Sequence, residues 1–163
     1  NGPMKAAAHF AESLDSQMDQ VHRIQVSCYG SLALTGKGHH TDKAVILGML
    51  GEDPVTVDTP KIYDKVDILA KEKKIKLLNK YDSDFKINFL RSQKLPYHTN
   101  GVKFTLLNKD DKELFSEIYY SIGGGFILSE EETKSQNKDD ENKFNKLPFQ
   151  FKNAKELFWM SET

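Results

Sequence analysis

Apolar residues near the start of the chain recur three and four positions apart. Met4, Ala7, Ala8, Ala11, Leu14 and Met18 fall on one side of a helical wheel, which predicts an amphipathic helix. Pro3 stands where a first helical turn tolerates it, because the N–H it lacks would have no partner there. The alanines let this face approach a neighbouring sheet closely. After Arg23 the period drops to two. Ile24, Val26 and Cys28 alternate with Gln25, Ser27 and Tyr29, a strand with one buried face. Residues 30–40 have no clean period. Thr41 then reads as an N-cap and Asp42 suits the first turn. Ala44, Val45, Ile46, Leu47, Met49 and Leu50 make an apolar helix stopped by Gly51.

Thr59-Pro60 repeats the cap-then-proline signal. Ile62, Val66 and Leu69 predict a second amphipathic helix that closes among the lysines of residues 71–74. That basic run reads as a solvated helix end favoured by the dipole. Ile75 to Leu78 is a short strand, and Phe85, Ile87 and Phe89 mark a longer one. Val102, Phe104 and Leu106 alternate on one side of Asn108-Lys109-Asp110-Asp111, and Leu114, Ser116, Ile118 and Tyr120 on the other. Two such runs around a short polar turn predict a β-hairpin. Ser129 to Lys143 contains no apolar residue and reads as a mobile solvent loop. Leu147-Pro148-Phe149 re-enters the core, and Asn153 caps a last helix. The expected fold is α+β, a mixed or antiparallel sheet with helices packed on one face. It forms a single domain over residues 1–163, with the mobile polar loop at about 129–143.

Composition narrows the function. Lys and Arg total 23 against 24 Asp and Glu, for a net charge of −1, so the chain is not built to seek a polyanion such as nucleic acid. With ten Phe and six Tyr in 163 residues it can bury a real core. Cys28 is the single cysteine. It excludes an internal disulfide and any metal or iron–sulfur site built from several thiolates of this chain, and packing of its small side chain is the expected role. No apolar run approaches the ~20 residues of a membrane span, so a cytoplasmic, soluble domain is expected. The opening Asn1-Gly2-Pro3 and the abrupt end suggest a piece of a longer protein.

Three segments could carry chemistry. In Gly36-Lys37-Gly38-His39-His40-Thr41-Asp42 two glycines let backbone N–H groups converge just before a helix, an arrangement that attracts carboxylates and phosphates. Lys37 adds a cation, and a neighbouring imidazole can accept a proton near neutral pH. The plain alternative is a glycine loop with two surface histidines. Adjacent histidines make a poor metal pair, since they rarely aim at one ion. The second segment is Tyr119-Tyr120-Ser121-Ile122-Gly123-Gly124-Gly125-Phe126. Its three glycines fit either a tight bend or the close approach of a ligand or another backbone. The third, His98-Thr99-Asn100-Gly101, fits a turn or a polar contact to a ligand. His9 and His22 read as solvent or packing positions.

Taken together, Gly2-Pro3-Met4-Lys5-Ala6, the segment from Tyr29-Gly30-Ser31 to Thr41-Asp42, Asn100-Gly101, Tyr119 to Phe126 and Leu147-Pro148-Phe149 resemble the β domain of the iron–sulfur-dependent bacterial L-serine dehydratases. The likeness covers nearly the whole chain. It implies conversion of L-serine to pyruvate and ammonia by α,β-elimination of water. It also implies a 4Fe-4S cluster acting as Lewis acid, held by cysteines of a separate α domain and not by this chain. By position in the motif His39 would be the base, with His40 the alternative. Ser31, Lys37, Gly38, His40, Thr41, Asp42, Asn100 and Gly124 would face substrate. The Ser-Ser-His-Thr part of the family's opening motif is absent here. A homodimer is expected, with the iron–sulfur α domain of the same protein as the other partner. The family's β domain also resembles the allosteric substrate binding domain of some phosphoglycerate dehydrogenases. That similarity implies an alternative role, in small-anion (serine) binding or dimerisation.

Overall fold

A computed structural model describes residues 1–14, 17–36, 38–52 and 59–136. Among the described residues, four helices and six strands precede a further helix over 130–136. They are α1 (Gly2–Ser13), β1 (Arg23–Tyr29), α2 (Gly30–Thr35), α3 (Thr41–Met49), α4 (Thr59–Glu72), β2 (Lys74–Leu77), β3 (Tyr81–Leu90), β4 (Gly101–Leu107), β5 (Glu113–Gly123) and β6 (Phe126–Ser129). The strands form one sheet in the order β2-β3-β1-β4-β5-β6. β1 and β3 are parallel, and every other neighbouring pair is antiparallel, so the expected mixed sheet is present. The chain divides into a unit over Asn1–Glu130, which holds the sheet, and a second from Glu131. In the second, residues 131–136 are helical.

Period-two alternation decides which side of the sheet is covered. Ile24, Val26 and Cys28 lie opposite Leu106, Phe104 and Val102, and all six are buried against the helices. Phe10 of α1 stacks on Phe104 at 4.7 Å between ring centroids. Over β1 and β4 the other face is polar, while on β5 it carries Ile118 and the buried Tyr120. The polar part carries Arg23, Gln25, Ser27, Tyr29, Lys103 and Thr105, with ion pairs Arg23–Asp111 at 2.9 Å and Lys103–Glu113 at 3.6 Å. A mixed sheet with helices packed on one face is the expected architecture.

Several elements depart from the sequence expectations. The first helix ends at Ser13, where Leu14 turns to extended backbone, and Met18 reaches the core from a separate 3-10 turn, Gln17–Gln20. The alanine face meets a helix more closely than the sheet. A Cβ on Gly48 of α3 would collide with the Met4 carbonyl and lie 2.8 Å from the Ala7 Cβ. Residues 30–35, expected to be irregular, form α2, which buries Leu32 and Ala33. Thr41 is not the N-cap: His40 is, in the left-handed region at φ 55°, and Thr41 is the first helical residue. The hairpin around Asn108 forms, with the Asn108 side-chain oxygen accepting from the Asp110 and Lys112 N–H groups, but its register pairs Val102, Phe104 and Leu106 with Tyr119, Glu117 and Phe115, so the run Leu114, Ser116, Ile118 and Tyr120 lies on the opposite face. The polar stretch from Ser129 begins as the end of β6 and a helix over 130–136, consistent with three glutamates favouring a helix N-terminus. The remainder of the stretch, Leu147-Pro148-Phe149 and the helix expected after Asn153 lie outside the described residues.

Candidate functional site

β1 and β3 run parallel, so their C-terminal ends open on the same end of the sheet, where β4 begins and β5 ends. Ligands of open α/β sheets favour such strand ends because loops gather there over a rigid frame. Most of the residues singled out in the sequence reach this end, in two groups.

The first group hangs on the corner between β1 and α2. Gly30 adopts φ +52°, and a Cβ there would lie 2.5 Å from the Thr99 carbonyl oxygen; glycine is needed for both reasons. The Gly30 N–H donates to the Gln93 carbonyl at 2.8 Å and the Ser31 N–H to the Thr99 carbonyl at 3.0 Å. Residues 91–100 are thereby clamped onto the start of α2. The Asn100 carbonyl accepts from the Ser121 N–H at 2.9 Å, and the Asn100 N–H donates to His98 Nδ1 at 3.1 Å. Gly2 of α1 lies directly on Ser121, where any side chain would collide. Ser31, Asn100, Ser121 and the start of α1 are therefore one connected cluster. Gly124 is near it in the fold, in the exposed β5–β6 turn, where Gly123, Gly124 and Gly125 have φ of 99°, 60° and 77°. The conformation itself requires glycine there, so the tight-bend reading of these residues holds.

The second group is the turn between α2 and α3. Gly36 packs against the Phe89 ring near the end of β3, too tightly for a Cβ. The His39 N–H donates to the Thr35 carbonyl at 3.1 Å and the Thr41 N–H to the Gly36 carbonyl at 2.9 Å. These bonds fix the backbone while Gly38, His39 and His40 remain exposed. Thr41 is 5% exposed and serves as the buried foot of the turn. Lys37 lies outside the described residues. The Asp42 carboxylate accepts from the Lys43 N–H at 2.9 Å, so the start of α3 already carries a negative charge. An external anion at that helix start would compete with it, which weakens the anion-cradle reading of this loop. Lys43 is drawn away toward Asp67 of α4 at 2.8 Å.

The remaining titratable groups behave structurally. Cys28 is 0% exposed. Burial, with the nearby Asp42 charge as a smaller contribution, pushes its thiol up to about 12, so it is neither nucleophile nor thiolate ligand. His9 Nδ1 lies 2.9 Å from the buried Tyr119 hydroxyl, which donates to Glu117 Oε2 at 2.7 Å. That bridge ties α1 to β5. His22 lies 3.5 Å from Asp84 at the surface. No group of three or more His, Cys, Asp or Glu that could hold a metal occurs among the described residues. Sequence reasoning missed Gln93 and named Thr99 only as part of the His98–Gly101 segment; both contribute main-chain carbonyls, and Gly30 directly after a strand was the available signal for a close backbone approach.

A family model described as serine dehydratase beta chain matches residues 1–132. Among curated proteins the chain is 41% identical over 162 residues to L-serine dehydratase 1 of Escherichia coli, covering 96% of this chain and 35% of that protein. It is 39% identical over 138 residues to L-serine dehydratase of Streptomyces coelicolor, covering 80% of this chain and 30% of the relative. Against L-serine dehydratase of Helicobacter pylori it is 36% identical over 163 residues, covering 96% and 34%. The chain thus spans about a third of the length of these relatives.

Proposed function

Because this chain belongs to the serine dehydratase beta chain family, we propose that it is the β part of an L-serine dehydratase, a cytoplasmic enzyme that eliminates water from L-serine to give aminoacrylate, whose imine tautomer takes up water to yield pyruvate and ammonia. The observation that carries this reading is the family match across residues 1–132, a span that includes all six strands and both groups at the end of the sheet.

In this reading His39 takes the Cα proton of serine. It stands exposed on a turn whose backbone is held at both ends by hydrogen bonds, so the ring is available to a substrate while its anchor stays fixed. Positioning of this kind contributes to general-base catalysis as much as basicity does. Ser31, Lys37, Gly38, His40, Thr41, Asp42, Asn100 and Gly124 form the substrate-facing surroundings in the same proposal. Loss of the serine hydroxyl needs help that these residues do not supply. An iron–sulfur cluster does not fit this chain: its one cysteine is sealed in the core with its thiol pushed up to about 12. We assign the 4Fe-4S cluster to a separate α domain, part of the roughly two thirds of the relatives' length that this chain does not span.

The division of labour is tested directly. The isolated chain, supplied with L-serine and ferrous iron and sulfide, should release no pyruvate, whereas the parent protein does so under the same anaerobic conditions. Pyruvate release from the isolated chain would refute the assignment, and so would a parent protein that holds its cluster yet leaves L-serine unchanged.

A further inference from the structure

The Thr41 N–H reaches back five residues to the Gly36 carbonyl at 2.9 Å, while the His39 N–H makes a helical bond to the Thr35 carbonyl at 3.1 Å. Gly36 keeps right-handed helical angles. A bond that spans five residues at the close of a helix marks a Schellman-type ending. In that ending the residue before the closing N–H takes the left-handed conformation, and it is usually glycine. Here it is His40, at φ 55° and ψ 35°. The His40 carbonyl also accepts from the Ala44 N–H at 3.0 Å, the first bond of α3. One residue thus serves the close of one helix and the start of the next. The other described non-glycine residues with positive φ stand elsewhere. Lys73 joins α4 to β2, and Leu78, Asn79 and Asp111 sit in hairpin turns.

We propose that His40 is a positioning residue for His39 and that it acts through its backbone conformation. The reversal at His40 turns Thr41 inward, where it is 5% exposed. It leaves His39 on the outer side of the turn, exposed, with its N–H tied back to α2. With a negative φ at position 40 the Thr41 N–H would point away from the Gly36 carbonyl, and the bond that closes the turn would be lost. The base would then ride on a loose loop, and a displacement of about 1 Å can cost about 10²-fold in rate. Any Cβ works against this conformation, because it crowds the carbonyl that follows. Reluctance to adopt it rises from glycine through asparagine to β-branched valine. This role rests on the reading of His39 as the base. It is separate from whatever the His40 ring contributes to the surroundings of the substrate.

Three substitutions remove the same imidazole and differ in the backbone they accept: His40→Gly, His40→Asn and His40→Val. In urea unfolding of the 163-residue chain the midpoint should be highest for His40→Gly, lower for His40→Asn and lowest for His40→Val. In the parent enzyme the KM for L-serine should move alike in all three, since each lacks the ring. The kcat should fall by about 10²-fold in His40→Val and by much less in His40→Gly and His40→Asn. Should His40→Val not fold, His40→Ala takes its place, with the same order at smaller amplitude. Equal midpoints for glycine and valine would overturn the proposal, because the left-handed turn would then carry no strain. A kcat as low in His40→Gly as in His40→Val would also overturn it, by showing that the ring and not the backbone is needed. The stability order involves no catalysis, so the two ways of failing are distinguishable. An intact order beside a kcat indifferent to His39→Ala would remove the base, and with it the role of its support.

Discussion

Cys28 faces the helices, fully enclosed, with its thiol pushed up to about 12 from an ordinary 9.0 by burial and, less, by Asp42. Two outcomes follow. A thiol reagent at pH 8 should label it only at the rate at which the chain opens, and should label it at once in urea. Stability should also depend on it at high pH. The unfolded thiol ionises near 9, while the folded one keeps its proton until about 12. Its contribution is therefore full below pH 9 and is lost as the pH rises toward 12. The urea midpoint should fall less steeply between about pH 9 and 11 in Cys28→Ala than in the unaltered chain; equal slopes would show that the thiol is not sealed. The burial of Cys28 was legible from Ile24-x-Val26-x-Cys28 alone. The role of Thr41 was not. A threonine before an apolar run predicts a cap, but here the chain reverses through His40 in the left-handed region. The cap position moves back by one residue, and the threonine becomes the turn's buried support.

Among the elements, α1 and α3 make the closest approach. Gly48 has no room for a methyl group, with the Met4 carbonyl, the Ala7 Cβ and the Ala8 nitrogen all upon it. Gly48→Ala should push the helices apart at a cost of about 1–3 kcal/mol, read as a lowered free energy in urea unfolding. A neutral result would mean that the pair has slack. Alanines spaced three and four apart announced close packing, but periodicity names no partner, and the sheet was expected where a second helix came nearest. The β4–β5 hairpin was legible because two period-two runs flank a polar turn, although its register, which sets the Leu114–Tyr120 run on the face opposite Val102, Phe104 and Leu106, was not. By contrast, α2 is a helix of six residues, too short for a 3.6-residue period to show. The hydrogen bonds that give its start a fixed shape come from carbonyls of residues 93 and 99, far along the chain, which no local pattern encodes.

At the scale of the whole molecule, one end of a mixed sheet gathers α2, the 91–100 segment, the β5–β6 turn and the start of α1. The turn bearing His39 leans on the same strand ends through Phe89. The glycine and histidine segments could be named from the sequence, whereas their gathering at one end of the sheet depends on strand order, which sequence spacing does not determine. In the proposed enzyme this end supplies the base, and the polypeptide beyond this chain supplies the cluster. The parent enzyme carrying His39→Ala, set beside His40→Ala, gives the sharpest measurement of that division. His39→Ala should lower kcat by about 10²–10⁴-fold while serine binding and the cluster's absorbance persist, and His40→Ala should retain the larger share of turnover. Undiminished kcat in His39→Ala, or a loss confined to His40→Ala, would contradict the assignment of His39 as the base.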